Sequence, residues 1–252
     1  APFTWVSLTF PHRKTLLDCS DFAMLRLPTK KDEKDESLDK TVLAVIDRAY
    51  GELAPKACAR DAAVLRRARE AASRAVNNSA LETEAAAAAA VQALLLYFAV
   101  LERLQAALGA EIRDQKSPTF AWRGAFETNE KCAEPNAALE LSSVAWNLAA
   151  ALSSSGVSAP ADDPKAAVRH FALAAGVLDA IASQLNPGAA LDACSSDLCE
   201  GVLGAARALM LAQAQACFCE KAAGDNLGSG TQAKLCMGAA KLCAEPGLMT
   251  PH

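Results

Sequence analysis

Aromatic residues are scarce in this 252-residue chain, at 5%, and histidine is scarcer still, with only His12, His170 and His252. Those three lie far apart, so no local histidine cluster points to a metal or a catalytic base. The nine cysteines, at 19, 58, 132, 194, 199, 217, 219, 236 and 243, contain no C-x-x-C pair. That argues against a zinc site, which would want paired thiols or Cys/His clusters. Gly-x-x-x-x-Gly-Lys-Ser/Thr, Gly-x-Ser-x-Gly and His-Glu-x-x-His are all missing, which argues against phosphate-loop, serine-hydrolase and zinc-protease chemistry. The nearest approach to a cysteine-phosphatase signature, Cys19 to Arg26, has one residue too many and no glycines between its ends. Positive charge is not in excess either, with 25 Lys+Arg against 29 Asp+Glu and a net charge of -4. A general nucleic-acid binder would carry a basic face. Finally, one apolar run invites comparison with a membrane span, which takes about 20 residues. The best candidate, Ala85 to Leu101, is short, contains Gln92 and is flanked by Glu82, Glu84 and Glu102-Arg103. It is predicted to be a packed helix, and no membrane span is predicted. The N-terminal Ala1-Pro-Phe-Thr-Trp-Val lacks a basic region followed by an apolar one, so no signal peptide is predicted. The absence of an initiator Met suggests a processed or excised piece.

What the chain has in abundance is alanine, at 58 residues, within a hydrophobic fraction of 52%. Alanine loses no side-chain entropy on entering a helix, so the composition favours an all-helical core of closely approaching elements. Only residues 1–30 have strand character, through the alternation Trp5-Val-Ser-Leu-Thr-Phe10 and the apolar run Phe22 to Leu27. The charged Lys30-Lys-Asp-Glu-Lys-Asp-Glu36 that follows is expected to be a solvated loop. Helices are then predicted from Ser37 to Gly51, Arg60 to Val76, Leu81 to about Ile112, Pro135 to Ser155, Lys165 to Leu185, Gly201 to Ala223 and Thr231 to Leu242. Asn, Gly, Pro and Ser punctuate the links between them. Ser117 to Phe126 is expected to be a turn carrying three large aromatics, and 155–164 and 224–230 to be connectors. Short links between long helices imply antiparallel helix pairs stacked side by side. Cysteines scattered through such helices fit small apolar thiols in helix interfaces, and no disulfide is predicted.

Three stretches carry more than packing information. They are Phe120-Ala-Trp-Arg-Gly-Ala-Phe126 with Leu139-Glu-Leu-Ser-Ser-Val-Ala-Trp-Asn147; Ala166-Ala-Val-Arg-His-Phe-Ala-Leu173; and Leu209-Met-Leu-Ala-Gln-Ala-Gln-Ala-Cys-Phe218 with Ala233-Lys-Leu235. In this order, and with Leu25-Arg-Leu-Pro-Thr-Lys-Lys31 ahead of them, they resemble the Bro1 domain of Alix-type endosomal adaptors. The resemblance implies one domain over 1–252, mostly α, with an elongated array of antiparallel helix pairs over 37–245, a tetratricopeptide-like core and a short N-terminal β segment over 1–30. It implies a non-catalytic adaptor with no cofactor, metal, small-molecule substrate or nucleic acid. Its partner would be the amphipathic C-terminal helix of an ESCRT-III subunit of the Snf7 type. The protein would then be cytoplasmic and recruited to endosomes, touching the endosomal membrane indirectly. A signalling scaffold of the ambient-pH-adaptor type, or the front part of a larger protein such as a Bro1-containing tyrosine phosphatase, are alternatives on the same fold.

By the same resemblance, Phe218 and Leu235 match the family's apolar patch, Lys165 a rim lysine, and Asp162 lies near a rim acid. Thr231 stands where the family carries a large aliphatic residue, one helical turn before Leu235. The alternative for Phe218 and Leu235 is ordinary core packing. The family domain is also longer than this chain.

Overall fold

The computed structural model describes residues 24–32, 38–51, 54–77, 81–108, 118–127, 129–134, 137–159, 163–186, 191–192 and 194–243. The strand expected at Trp5 to Phe10 and the rim acid Asp162 fall outside these residues.

Seven α-helices account for most of the described chain: α1 (Leu38–Tyr50), α2 (Ala54–Asn77), α3 (Glu84–Leu108), α4 (Ala137–Val157), α5 (Pro164–Ala180), α6 (Glu200–Gly224) and α7 (Ser229–Cys243). Each packs chiefly against the next in sequence, from the α1–α2 pair through to the α6–α7 pair. This is the stacked array that short links impose. In α1, Leu38, Val42, Val45 and Ile46 are buried at helical spacing, and Gly51 closes the helix at φ +83°, the left-handed conformation glycine tolerates. Helix α2 starts six residues before the predicted Arg60, because Pro55 is compatible with a first helical turn. A five-residue π-helical turn, Ile181–Leu185, extends α5.

Helix α4 is the spine. Of its residues from Ala137 to Gly156, all but Ala138 are buried, including Trp146. Its Ala149-Ala-Ala151 and Ser153-Ser-Ser155 runs keep the surface shallow, so α3 and α5 can both lie against it. Gly156, predicted to begin a connector, is still helical, and a Cβ there would meet the Phe171 ring of α5 at 2.8 Å. By length and composition alone, 84–106, 164–185 and 200–224 could each cross a membrane. In the structure all three pack within the array, α3 between α2 and α4.

Among the described residues, 24–30 of the predicted β segment are extended without strand pairing, and residues 1–23 of it lie outside the described chain. Three short antiparallel strands, β1 (Lys31–Asp32), β2 (Phe120–Arg123) and β3 (Lys131–Glu134), form a sheet in the order β1-β2-β3. Lys31 lies opposite Arg123, and Trp122 opposite Cys132. Phe120–Arg123, inside the stretch expected to be a turn, is therefore a strand, while 124–126 still bend away from it. Phe120 and Trp122 face the core while Ala121 and Arg123 are half-buried, a period-two alternation too brief to announce itself in sequence. Residues 25–30 are held by helix side chains. The Gln213 amide oxygen accepts from Leu25 N and its amide nitrogen donates to Leu25 O at 3.1 Å. Ser153 Oγ accepts from Leu27 N, Trp146 Nε1 donates to Pro28 O, and Asn147 pairs with both Lys30 N and Lys30 O.

In the charged run, Lys31 is exposed but the Lys30 and Asp32 side chains turn inward. Lys30 Nζ meets Asp197 Oδ2 at 2.7 Å and Ser195 Oγ at 2.8 Å, with Lys30 and Asp197 each 1% exposed. Asp32 meets Arg69 Nη2 at 2.8 Å. Arg69 Nε also donates to Glu140 Oε1 at 3.1 Å, and the same carboxylate accepts from Tyr97 Oη at 2.5 Å and Trp122 Nε1 at 2.6 Å. Burial opposes the Arg69 charge, but the Glu140 and Asp32 carboxylates outweigh it and its pKa is raised. Burial, then Glu140, pushes Tyr97 well above its ordinary value, so it remains a neutral donor. The cysteine expectation also needs correction: Cys132 of β3 and Cys194, before α6, form a disulfide with a Cα–Cα distance of 5.2 Å.

Two stability outcomes follow. Glu140→Ala strands Arg69, Tyr97 and Trp122 in the interior and should cost about 3–5 kcal/mol, read as a lower urea midpoint. Gly156→Ala should destabilise by roughly 1 kcal/mol despite alanine's helical advantage, because the Phe171 ring it meets is fully buried. A rise in urea midpoint for Gly156→Ala would show that the ring moves aside freely.

Candidate partner-binding site

The resemblance-derived residues occupy the last three helices. The exposed ion pair between Asp179, near the end of α5, and Arg207, two turns into α6, at 3.3 Å shows that the end of α5 lies beside the start of α6, an antiparallel arrangement. Lys165, in the first turn of α5, therefore lies toward the end of the pair where α6 runs from Phe218 to Gly224. On the other side, Gln215 Nε2 of α6 donates to Leu235 O of α7 at 3.3 Å. Gly238 presses on the same glutamine, with a Cβ there 3.5 Å from its amide nitrogen. Gln215 and Phe218 are three residues apart and so share a helix face. Phe218, Thr231, Leu235 and Lys165 are thus gathered at one end of the α5–α6–α7 layer.

Their exposures differ in an informative way. Phe218 is 44% exposed between Cys217 and Cys219, both 3%. Burial pushes the Cys217 thiol up to about 11, with the nearby Glu220 adding to it. A large aromatic turned outward between two buried neighbours is not core packing. Leu235 is half-buried and Thr231 exposed, while Lys165 is exposed beside the helix cap. The cap itself is Asp163, whose Oδ1 accepts from Ala166 N at 3.1 Å.

Two exposed apolar residues on this end escaped the sequence: Leu227, 44% exposed, and Met237, 60% exposed. Leu227 sits in the 224–230 connector, which opens with a hydrogen-bonded helix cap. Asn226 adopts φ +53°, Leu227 N donates to Ala222 O at 2.9 Å and Asn226 N to Ala223 O at 3.1 Å. That double closure is a Schellman cap with Asn in the glycine position. The signal was present in Gly-Asp-Asn-Leu, but a glycine-rich run reads equally well as an open linker. His170, with its pKa lowered by burial and by Arg169, stands apart from these groups on the α3 side, facing the Glu84 charge.

Two small voids lie among the described residues, both away from this surface. One void beside Arg69, Tyr97 and Trp122 and another beside Val42, Leu101 and Phe120 each offer about 10 Å³, room for one water at most. What this end of the array presents is a surface: apolar side chains on two antiparallel helices with lysines nearby.

Comparison with known proteins gives this surface its context. The BRO1-like domain model matches residues 24–247. Among curated proteins, the chain is 33% identical over 165 residues to the vacuolar protein-sorting protein BRO1 of Yarrowia lipolytica, covering 62% of this chain and 18% of that protein. It is 30% identical over 165 residues to the pH-response regulator protein palA/RIM20 of Emericella nidulans, covering 64% of this chain and 19% of that one. The match thus spans about a fifth of these relatives' lengths. Among solved structures, the ALIX BRO1 CHMP4C complex superposes with a TM-score of 0.71 at 25% identity, over 90% of this chain and 66% of that one. The helical array, the small antiparallel sheet and a family match over nearly the whole described chain lead to one conclusion: this chain belongs to the BRO1-like domain family.

Proposed function

We propose that the chain is a non-catalytic adaptor module that receives an amphipathic helix on the α5–α6–α7 surface, the helix being the C-terminal segment of a Snf7-type ESCRT-III subunit. The observation that carries this is Phe218, exposed on α6 between buried neighbours and adjacent to the Leu235 backbone through Gln215. A helix laid across two receptor helices needs a few protruding apolar anchors and a polar rim that sets its orientation. Phe218, Leu235 and Leu227 supply anchors, and Lys165 with Lys234 supplies cations for the partner's acidic positions. A solved relative is an ALIX BRO1 in complex with CHMP4C, and another relative is a vacuolar protein-sorting protein. Both support an ESCRT-related role, in which a cytoplasmic protein is drawn to endosomes through its partner.

Thr231 sets the strength of the site. Exposed in the first turn of α7 and one turn before Leu235, it offers a methyl and a hydroxyl where a large aliphatic would fill more of the groove. The site is therefore expected to bind more weakly than one with leucine there. A second reading, a signalling scaffold, is favoured by the palA/RIM20 relative. It would be chosen if affinity capture recovered a protease or a receptor tail and no ESCRT-III subunit.

Fluorescence anisotropy with a Snf7-type C-terminal peptide tests the site. Phe218→Asp should weaken binding by roughly thirtyfold or more, the scale of a hot-spot contact, and equal binding by both proteins would remove Phe218 from the site. Thr231→Leu should tighten binding about tenfold, and an unchanged Kd would place the peptide away from α7.

A further inference from the structure

The pair Cys132–Cys194 lies outside the proposed peptide surface and joins two parts of the fold that are distant in sequence. Cys132 is on β3, 3% exposed, while Cys194 is in the segment that leads into α6 and is half-buried. Their Cα atoms are 5.2 Å apart across a sequence separation of 62, within the range a disulfide requires. The same two regions are also held together without the sulfurs. Ser196 N and Ser196 Oγ both donate to the Glu130 carboxylate, at 3.0 and 2.7 Å. Asp197 Oδ2 accepts from Ala125 N at 2.6 Å and from Lys30 Nζ at 2.7 Å, and Ser195 Oγ takes a further Lys30 bond.

We propose that Cys132 and Cys194 form a reversible, redox-responsive tie that staples the sheet to the segment entering α6. The hydrogen bonds keep the two thiols adjacent after reduction, so the bond can re-form without a search. Partial exposure of Cys194 gives a small oxidant access to one sulfur, while Cys132 stays shielded behind it. The oxidant is a low-molecular-weight disulfide. The Cys194 thiolate attacks it, forming a mixed disulfide and releasing one thiolate. The Cys132 thiolate then attacks the Cys194 sulfur and releases the second. Two protein thiols become one disulfide, and the oxidant, gaining two electrons and the two protons, becomes two small thiols. Pairing is selected by the fold: Cys58, Cys199 and Cys217 remain thiols, although Cys199 is only five residues from Cys194. Oxidation closes a long loop and restricts the unfolded chain, so it should raise Tm on the order of 10 °C.

The 252-residue chain should be equilibrated across a series of reduced and oxidised glutathione ratios, then mapped by mass spectrometry of unreduced peptides and melted in parallel. The expected result is a Cys132–Cys194 peptide whose abundance rises and falls reversibly with the ratio, with Tm rising alongside it. Cys132→Ser and Cys194→Ser should each melt at one temperature at all ratios. The proposal is overturned if no such peptide appears, if Cys194 links to Cys199 instead, if the link persists unchanged in excess reduced glutathione, or if either serine variant keeps the redox-dependent Tm. The wild-type mapping decides the matter even if both variants fold poorly.

Discussion

One buried carboxylate, Glu140, organises the first half of the molecule. It is fully enclosed and takes hydrogen bonds from Arg69 of α2, Tyr97 of α3 and Trp122 of β2, while Arg69 reaches on to Asp32 of β1. Five elements, each from its own stretch of chain, thus meet at one charge network. A buried ion pair is weak evidence of net stability, because desolvation of the charges cancels most of their attraction. What such a network does is penalise every arrangement that leaves one member unpaired. Neighbouring helices rich in alanine could slide past one another at little cost. A fixed polar junction removes that freedom.

A second junction performs the same service further along. Lys30, Asp197 and Ser195 pin the extended 25–30 segment and the loop before α6 to each other. Gln213, Ser153, Trp146 and Asn147 hold the backbone of that segment in place of strand partners. Because the loop at 195–198 leads directly into α6, the placement of Phe218 at the far end of that helix inherits its register from this junction. The proposed peptide surface and the Cys132–Cys194 tie therefore share a scaffold, though they use different residues.

The helices were legible in the sequence almost to their ends. Periodic Leu, Val and Phe on an alanine background, bounded by Asn, Gly and Pro, is a local signal that needs no tertiary information. The sheet was not legible, since strands of two to four residues are too short to display a period, and 117–126, which carries β2, reads as an aromatic turn. Nor was the burial of Lys30 and Asp32, because a run of seven charged residues has the same composition whether its first members face solvent or a buried partner. Met210, Gln213 and Asn147, singled out as marks of resemblance, proved to be buried residues, two of them holding the N-terminal segment. At the candidate site, Phe218 could be nominated by resemblance, but its neighbours Cys217 and Cys219 give no local hint that the helix turns it outward.

By itself, the amino-acid sequence determined the class of molecule: an alanine-dominated helical array without the residue constellations of the common enzymes, and with the ordered marks of one family. These properties are carried by composition and short-range spacing. Only the tertiary structure decided which polar groups are interior, which cysteines meet, and which large side chains are left exposed. Each of those depends on groups far apart in sequence being brought within a few ångströms, as with Cys132 and Cys194, Arg69 and Glu140, and Leu25 and Gln213, which are 62, 71 and 188 residues apart, and burial is a property of the neighbours a residue acquires, not of the residue itself.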